Sequence, residues 1–330
     1  MCGVIAVTAL FGACSSSSDT ASKRSTSDRS TSDASSSASK GSKTSTSAAT
    51  PVEMLPKAAQ ELEFNATEYT FAITPDPSAG LKPGWTLVKF HNIGGEPHQV
   101  MFARIKDGVD MADLAAAGAG DSSGAGAIAF VDMIGGISYI APNQDTTAMV
   151  YLTEGTVMAM CYVPDANGVA HALSGMTTTL TVSAPVDAPA ATEPKFSDDA
   201  VLGTIELSKD GYQIPDDLGT GWYHVKNTDT ALHELSMLRL GHSITEDQAK
   251  LIVSDLAANK IPEVEVTAVG GMGAISAGFD GYLYLDLKKG DYLAVDFMPD
   301  PGEPRPHMLD GYYAKFSSTG SDSGQAGSGT

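Results

Sequence analysis

An internal repeat constrains this fold more than any other feature of the sequence. Residues about 135 positions apart match over a stretch of about eighty residues. The matching pairs are Asn92 and Asn227, His98 and His233, Arg104 and Arg239, Gly135-Gly136 and Gly270-Gly271, Gly155 and Gly290, and Pro164-Asp165 and Pro299-Asp300. The register then slips by one, so that His171 corresponds to His307. So many matches at one offset predict two similarly folded domains in series.

Within each copy, the regular segments are short, rich in β-branched and aromatic residues, and bounded by Gly, Pro, Asn and Asp. These strand-like segments are 85–92, 99–105, 147–153, 156–163 and 177–184 in the first copy, and 222–227, 234–240, 281–287, 291–298 and 312–317 in the second. The pattern predicts an all-β chain of two tandem Greek-key β-sandwiches.

One helical insertion is predicted soon after the first histidine of each copy. In the second copy it covers residues 243–259, with Ser243 and Glu246 as a capping box. In the first copy it covers 110–118 and begins at Asp110. The glycine pairs of the repeat lack the downstream Lys-Ser/Thr of a phosphate-binding loop, so they indicate a turn or a close backbone approach.

Composition divides the rest of the chain. The predicted order is a signal segment of a lipoprotein (1–14), a Ser/Thr-rich disordered tether (15–60), a first domain (61–183), a linker (184–196), a second domain (197–317) and a disordered tail (318–330). Ser, Thr and Ala dominate the tether, which cannot bury enough apolar surface to offset the entropy of ordering. Pro and Ala in the linker suit a semi-rigid connection.

The N-terminal sequence MCGVIAVTALFGAC is apolar, and Cys14 follows Gly12-Ala13 as the lipid-modified cysteine of a bacterial lipoprotein does. We therefore expect a protein anchored to the cell membrane through Cys14 and exposed outside the cytoplasm. A cleaved form, a cytoplasmic form and a true start further upstream remain open.

Cys161 is the third cysteine of the chain, after Cys2 and Cys14. If Cys2 leaves with the signal segment and Cys14 carries lipid, Cys161 has no disulfide partner in an exported protein. Metal ligation would explain such a thiol, and an inert buried cysteine is the alternative. The formal net charge of −20 excludes nucleic acid as an expected partner, because such binding needs a basic surface.

Four residues of the first copy, His98, Cys161, His171 and Met176, supply two imidazoles, one thiolate and one thioether. This is the donor set of a type 1 copper site, in which sulfur donors hold Cu(I) and imidazole suits Cu(II). The set predicts one copper ion and one-electron transfer. The alternative is a sandwich without metal, with Cys161 in the core and both histidines hydrogen-bonded at one end.

The second copy has Asp296 at the position of Cys161 and Tyr312 at that of Met176. Without a thiolate it cannot form a blue copper site. Two imidazoles and a carboxylate, from His233, His307 and Asp296, could hold Zn²⁺ or Cu²⁺, but an empty structural domain is the favoured expectation.

Both ligand segments match a family. FHNIGGEPHQVMF resembles the first-ligand segment of plastocyanin and pseudoazurin, F-x-N-x-x-G-x-P-H-x-V-x-F, and CYVPDANGVAHALSGM resembles their Cys-to-Met loop. The resemblance to cupredoxins extends over residues 61–316, with complete ligands only in the first copy. It implies small β-sandwiches that shuttle single electrons, with His98, Cys161 and His171 as equatorial ligands and Met176 as the axial one. The nine residues between Cys161 and His171 make this loop longer than that of plastocyanin and closer to that of copper nitrite reductases.

We expect a redox partner protein, whose identity the sequence does not give, and no enzymatic activity. A catalytic copper needs further histidines, but the residue beside Cys161 is Met160 and the chain has no His-x-His pair. Two other functions remain open. One is a copper-free cupredoxin-like module for binding or structure at the cell surface, and the other is copper storage or delivery.

Overall fold

The computed structural model describes residues 58–119, 125–184, 201–216 and 218–320. Within these ranges the chain forms sixteen strands in two eight-stranded sheets, together with three α-helices. The predicted signal segment with Cys14, almost all of the tether and linker, and most of the tail lie outside the described residues. No described helix is long and apolar enough to span a membrane.

Residues 58–184 contain the first half of these elements. They are β1 (Gln60–Thr67), β2 (Thr70–Thr74), β3 (Gly84–Asn92), β4 (His98–Ile105), α1 (Met111–Ala119), α2 (Ala125–Ile128), β5 (Val131–Ile140), β6 (Asp145–Leu152), β7 (Gly155–Met160) and β8 (Thr177–Val182). Residues 201–320 contain β9 (Thr204–Ser208), β10 (Gly211–Gln213), β11 (Gly221–Asn227), β12 (His233–Leu240), α3 (Glu246–Ala257), β13 (Val266–Ile275), β14 (Asp280–Leu285), β15 (Gly290–Val295) and β16 (Tyr313–Ser318).

Each half contributes four strands to each sheet. The first sheet has the order β10-β9-β11-β14-β6-β3-β1-β2, and the second has the order β16-β15-β12-β13-β5-β4-β7-β8. Successive side chains of a strand point to opposite faces, so in β3 Val88 and Phe90 belong to the main core while Trp85 and Leu87 belong to a separate cluster. The predicted all-β class with β-sandwich domains is confirmed.

The two halves join edge to edge in both sheets, through β5 with β13 and β6 with β14. At the centre of the first junction Ile137 pairs with Met272, and in the second Ala148 pairs with Leu283. Both pairs join residues that correspond in the repeat. Pairing of equivalent residues is the mark of a local twofold axis, so the halves form a pseudo-symmetric pair that shares continuous sheets. The sequence pattern did not predict this junction.

Strands β5 and β13 were not predicted, because each contains a glycine pair at its middle. Gly136 and Gly271 have φ angles of 123° and 138°. A Cβ on Gly136 would collide with the carbonyl oxygen of Val100, and one on Gly271 would collide with that of Leu235. The glycine pairs therefore mark close backbone approaches inside strands, and the turn interpretation is wrong.

The predicted helical insertion of the second half exists, but its start differs. Helix α3 is capped by Thr245, whose hydroxyl accepts the N–H of Gln248 at 3.2 Å while the Gln248 side chain accepts the N–H of Thr245 at 2.9 Å. The predicted capping pair, Ser243 with Glu246, is wrong because the Ser243 hydroxyl donates to Asp291. In the first half Asp110 caps α1 as predicted, accepting the N–H of Ala112 at 2.8 Å, and the short helix α2 is an unpredicted addition.

Candidate metal centre

The chain brings the predicted ligands of the first half together at one end of the second sheet. His98 is the first residue of β4, and Cys161 directly follows β7, the strand that pairs with β4. His171 opens a short 3-10 turn in the loop after β7, and Met176 directly precedes β8. Adjacent strands therefore place His98 beside Cys161, and the loop must return His171 to them.

Backbone hydrogen bonds close this loop. The Cys161 carbonyl accepts the N–H of Ala172 at 2.7 Å, and the Cys161 N–H donates to the carbonyl of Met176 at 3.1 Å. The N–H of Met176 donates to the carbonyl of His171 at 2.9 Å. The extra length of the loop is thus folded away, and its two ends meet at Cys161.

The donor atoms converge. The two Nδ1 atoms of His98 and His171 are 3.1 Å apart, and the Cys161 sulfur lies 4.0 Å and 3.5 Å from them, respectively. All three side chains are fully buried. Atoms at these separations share a point about 2.1 Å from each, close to the ~2.0–2.3 Å bonds that imidazole nitrogen and thiolate sulfur make to such metals. The donor chemistry and the spacing therefore fit a transition-metal ion.

Met176 is also fully buried, in the same apolar cluster as Cys161. Its backbone bonds to Cys161 and His171 place it next to both. The structure thus brings all four predicted residues to one place, and their role as metal ligands remains a prediction.

Two carboxylates that the sequence pattern did not reveal face the outer nitrogens of the histidines, and one of them, Glu96, lies within hydrogen-bond distance. Glu96 Oε2 lies 3.0 Å from Nε2 of His171, and Glu68 Oε1 lies 3.8 Å from Nε2 of His98. Glu68 is itself held by the backbone N–H groups of Gly95 and Glu96. The Glu96 carboxylate on Nε2 of His171 favours the tautomer that keeps the proton there and leaves Nδ1 of His171 free to bind metal.

Burial dominates the ionisation of the site. It raises the pKa of the Cys161 thiol to about 12, although the backbone N–H groups of Gln99 and Val163 donate to the sulfur and oppose the shift. Burial and the neighbouring His171 lower the pKa of His98 to about 4 against the pull of Glu68, and burial also lowers the pKa of His171. Without metal, the site therefore holds a neutral thiol and two neutral imidazoles near pH 7.

The low pKa of His98 predicts that the copper-free protein loses stability in acid. Because the native pKa is about 4 and the ordinary value is 6.5, the stabilisation from the neutral imidazole is fully present above pH 6.5 and is lost progressively as the pH falls from 6.5 through about 4. We expect a loss of about 2–3 kcal/mol in unfolding free energy between pH 7 and pH 4.5 from this residue. Urea denaturation of wild type, His98→Gln and the control His91→Gln would measure it. Equal pH dependence in all three would contradict the expectation.

A buried asparagine holds the loop before each first histidine. The Asn92 side chain donates to the carbonyls of Glu96 and Ile140 at 2.8 and 3.0 Å and accepts the N–H of Gly94 at 3.0 Å. In the second half, the Asn227 side chain donates to the carbonyls of Ala231 and Ile275 at 2.8 and 2.7 Å. Asn92 and Asn227 therefore play the same structural role in their own halves, and only Asn92 lies beside the first site.

Replacing Asn92 by alanine is expected to lower the free energy of unfolding by about 2–3 kcal/mol, because buried carbonyls lose their donors. It should also weaken metal binding, since the segment from Glu96 to His98 loses its anchor. Asn227→Ala should cost similar stability but leave metal binding at the first site unchanged. Denaturation and copper titration of both variants would test this, and equal copper affinities would contradict it.

The equivalent position in the second half contains a different cluster. Asp296 is fully buried after β15, and its Oδ2 lies 2.7 Å from Nδ1 of His233 and 3.0 Å from Nδ1 of His307. Burial lowers the pKa of His307, but Asp296 and Asp300 outweigh it, so that the pKa is raised. Tyr312 stacks on the His233 ring with centroids 4.0 Å apart. These donors contain no sulfur, so they do not match a type 1 copper site.

No family model matches this chain, and no curated protein matches it. Solved structures do match. Auracyanin from the photosynthetic bacterium Roseiflexus castenholzii is 19% identical with a TM-score of 0.28, and the match covers 38% of this chain and 99% of that one. A multicopper oxidase is 13% identical with a TM-score of 0.24, covering 82% and 97%. The blue copper oxidase of Nitrosomonas europaea is 12% identical with a TM-score of 0.23, covering 78% and 86%.

Structures of cupredoxins and of multicopper oxidases are thus among those that this chain resembles. The two eight-stranded sheets agree with the β-sandwiches that the resemblance of the two ligand segments to cupredoxins implies. One prediction needs correction. The prediction of no enzymatic activity is contradicted, because the matching structures include multicopper oxidases.

Proposed function

We propose that this protein carries single electrons outside the cytoplasm through one type 1 copper ion. His98, Cys161 and His171 would be its equatorial ligands and Met176 its axial ligand. The observation that carries the proposal is the convergence of two Nδ1 atoms and one sulfur atom, with separations of 3.1–4.0 Å, in a fully buried site.

The bound metal would supply a one-electron couple between Cu(I) and Cu(II). The protein residues keep the donors in place: Glu96 orients His171, and backbone N–H groups of Gln99 and Val163 donate to the sulfur. Burial excludes water from all four side chains. A site held in this way favours electron transfer, because little has to move when the charge changes.

Exposed apolar side chains lie in both of the loops that carry the ligands. Ile93 is 58% exposed in the loop before His98, and Val169 and Leu173 are 40% and 58% exposed in the loop around His171. Such residues would let a redox partner protein approach closely without removing charges from water. We therefore place the docking of the partner at this end of the first half.

The sequence of the N-terminus supports the location that we propose. Lipid on Cys14 would anchor the protein to the cell membrane, and the Ser/Thr-rich segment after it would serve as a tether. Fractionation of cells that produce wild type or Cys14→Ala would test the anchor, and a variant that stays in the membrane fraction would overturn it.

Adding Cu²⁺ to the purified protein tests the copper centre. If the protein carries electrons as proposed, it should show an intense visible absorption band, caused by charge transfer from thiolate to copper, and a reversible Cu(II)/Cu(I) wave in voltammetry. A colourless protein would overturn the proposal in favour of a copper-free module. Tight Cu(I) binding without a reversible wave would overturn it in favour of storage or delivery.

A further inference from the structure

The donors of the second half present an excess of lone pairs. The Nε2 atom of His233 lies 3.0 Å from Asp229 Oδ2, and that of His307 lies 3.4 Å from Asp300 Oδ1. If each imidazole keeps its proton on Nε2 for these carboxylates, both Nδ1 atoms are acceptors. They face Oδ2 of Asp296, another acceptor, at 2.7 and 3.0 Å. Three acceptors this close need positive charge among them, either two additional protons or one metal cation.

The surroundings favour the metal cation. Asp296 is fully buried, and its other oxygen, Oδ1, accepts the N–H of Met298 at 2.8 Å, so that Oδ2 is directed at the histidines. Two protonated imidazoles with centroids only 5.0 Å apart would repel each other in this buried place. A single dication bound to all three atoms removes that repulsion. Carboxylates on the outer nitrogens are also the usual partners of metal-bound histidines.

We propose that His233, Asp296 and His307 form a second metal site, which takes a divalent cation of borderline hardness, Zn²⁺ or Cu²⁺, through two nitrogens and one oxygen. The donor atoms all lie within 4.8 Å of one another. Tyr312 stacks on His233 and fixes its ring, and the His307 side chain is 12% exposed, which gives the ion a way in. This site does not depend on the function proposed for the first half.

Titration with Zn²⁺ alone, followed by calorimetry and elemental analysis, tests the site. We expect His307→Gln to remove one equivalent of bound zinc, or to weaken it about 100-fold, both in the wild type and in the Cys161→Ala variant, whose first site lacks its thiolate. Asp296→Ala should do the same, and His307→Gln keeps the test available if Asp296→Ala does not fold. Asp310→Asn, at an exposed carboxylate paired with Arg305, is the matched control and should change nothing.

Cu²⁺ gives an independent readout. In Cys161→Ala the remaining copper should show an electron paramagnetic resonance signal with nitrogen coupling and no intense visible absorption, and His307→Gln should abolish that signal. Zinc or copper binding with the same stoichiometry and the same affinity with and without His307→Gln would overturn the proposal, because the three residues would then share protons and no metal ion.

Discussion

Replacement of Cys161 by serine is expected to remove the visible absorption of the copper-loaded protein and to weaken copper binding at least about 100-fold. The colour of a type 1 site arises from the thiolate, and a hydroxyl is a much poorer donor to Cu(I). Because burial holds the pKa of the thiol at about 12, the site has a thiolate only when a metal displaces its proton. Absorption spectroscopy and competition with a copper chelator would measure both effects.

The internal repeat provides the control. Asp296→Asn changes the corresponding position of the second half and should leave the absorption of the first site unaltered. Serine and cysteine are similar in size, so Cys161→Ser should keep the fold, and circular dichroism would verify it. Unchanged colour in Cys161→Ser would rule out this residue as the ligand that produces it.

Replacement of Gly136 by alanine is expected to lower the free energy of unfolding by about 3 kcal/mol or more. The φ angle of 123° is one that residues with a Cβ rarely adopt. The added methyl would also collide with the carbonyl oxygen of Val100 in the neighbouring strand. That oxygen belongs to β4, so relief would require the strand that carries His98 to move away from β5.

Gly118→Ala is the matched control, because Gly118 lies in α1 and a Cβ there would meet no atom within 4 Å. It should raise stability by up to about 1 kcal/mol, since alanine favours helix. Chemical denaturation of both variants would measure the difference. A loss below about 1 kcal/mol in Gly136→Ala would show that the two strands can separate more easily than their packing indicates.

Many strands were predictable from local sequence, because the alternation of apolar and polar residues and the preference of β-branched residues for strands are properties of a single segment. The local pattern missed β1, β2, β9 and β10, the first two strands of each half. It also missed β5 and β13 because their glycine pairs resemble turns, and only the neighbouring strands show why glycine is needed there. The junction of the halves was also beyond local pattern, since nothing in β5 or β6 alone selects its partner. The capping error at α3 has the same origin, because Asp291, which occupies the Ser243 hydroxyl, is distant in sequence.

The candidate site was predictable to the extent that residue type reveals chemistry. His98, Cys161, His171 and Met176 are unusual as a group, so they could be found without a structure. Glu68 and Glu96 could not be found, because they are two of 40 acidic residues. Glu68 reaches His98 from the turn between β1 and β2, and only the folded sheets bring these segments together.

The shared sheets have a consequence for the first half as an independent unit. Made alone, it would expose the unpaired edges of β5 and β6, which are ready to accept another strand. The second half covers both edges with strands in equivalent positions. Within the duplicated chain, each half therefore covers the sheet edges of the other, which identical separate chains could cover only by associating. Because the halves are joined in one chain, the metal-donor residues of each half can change independently of those of the other.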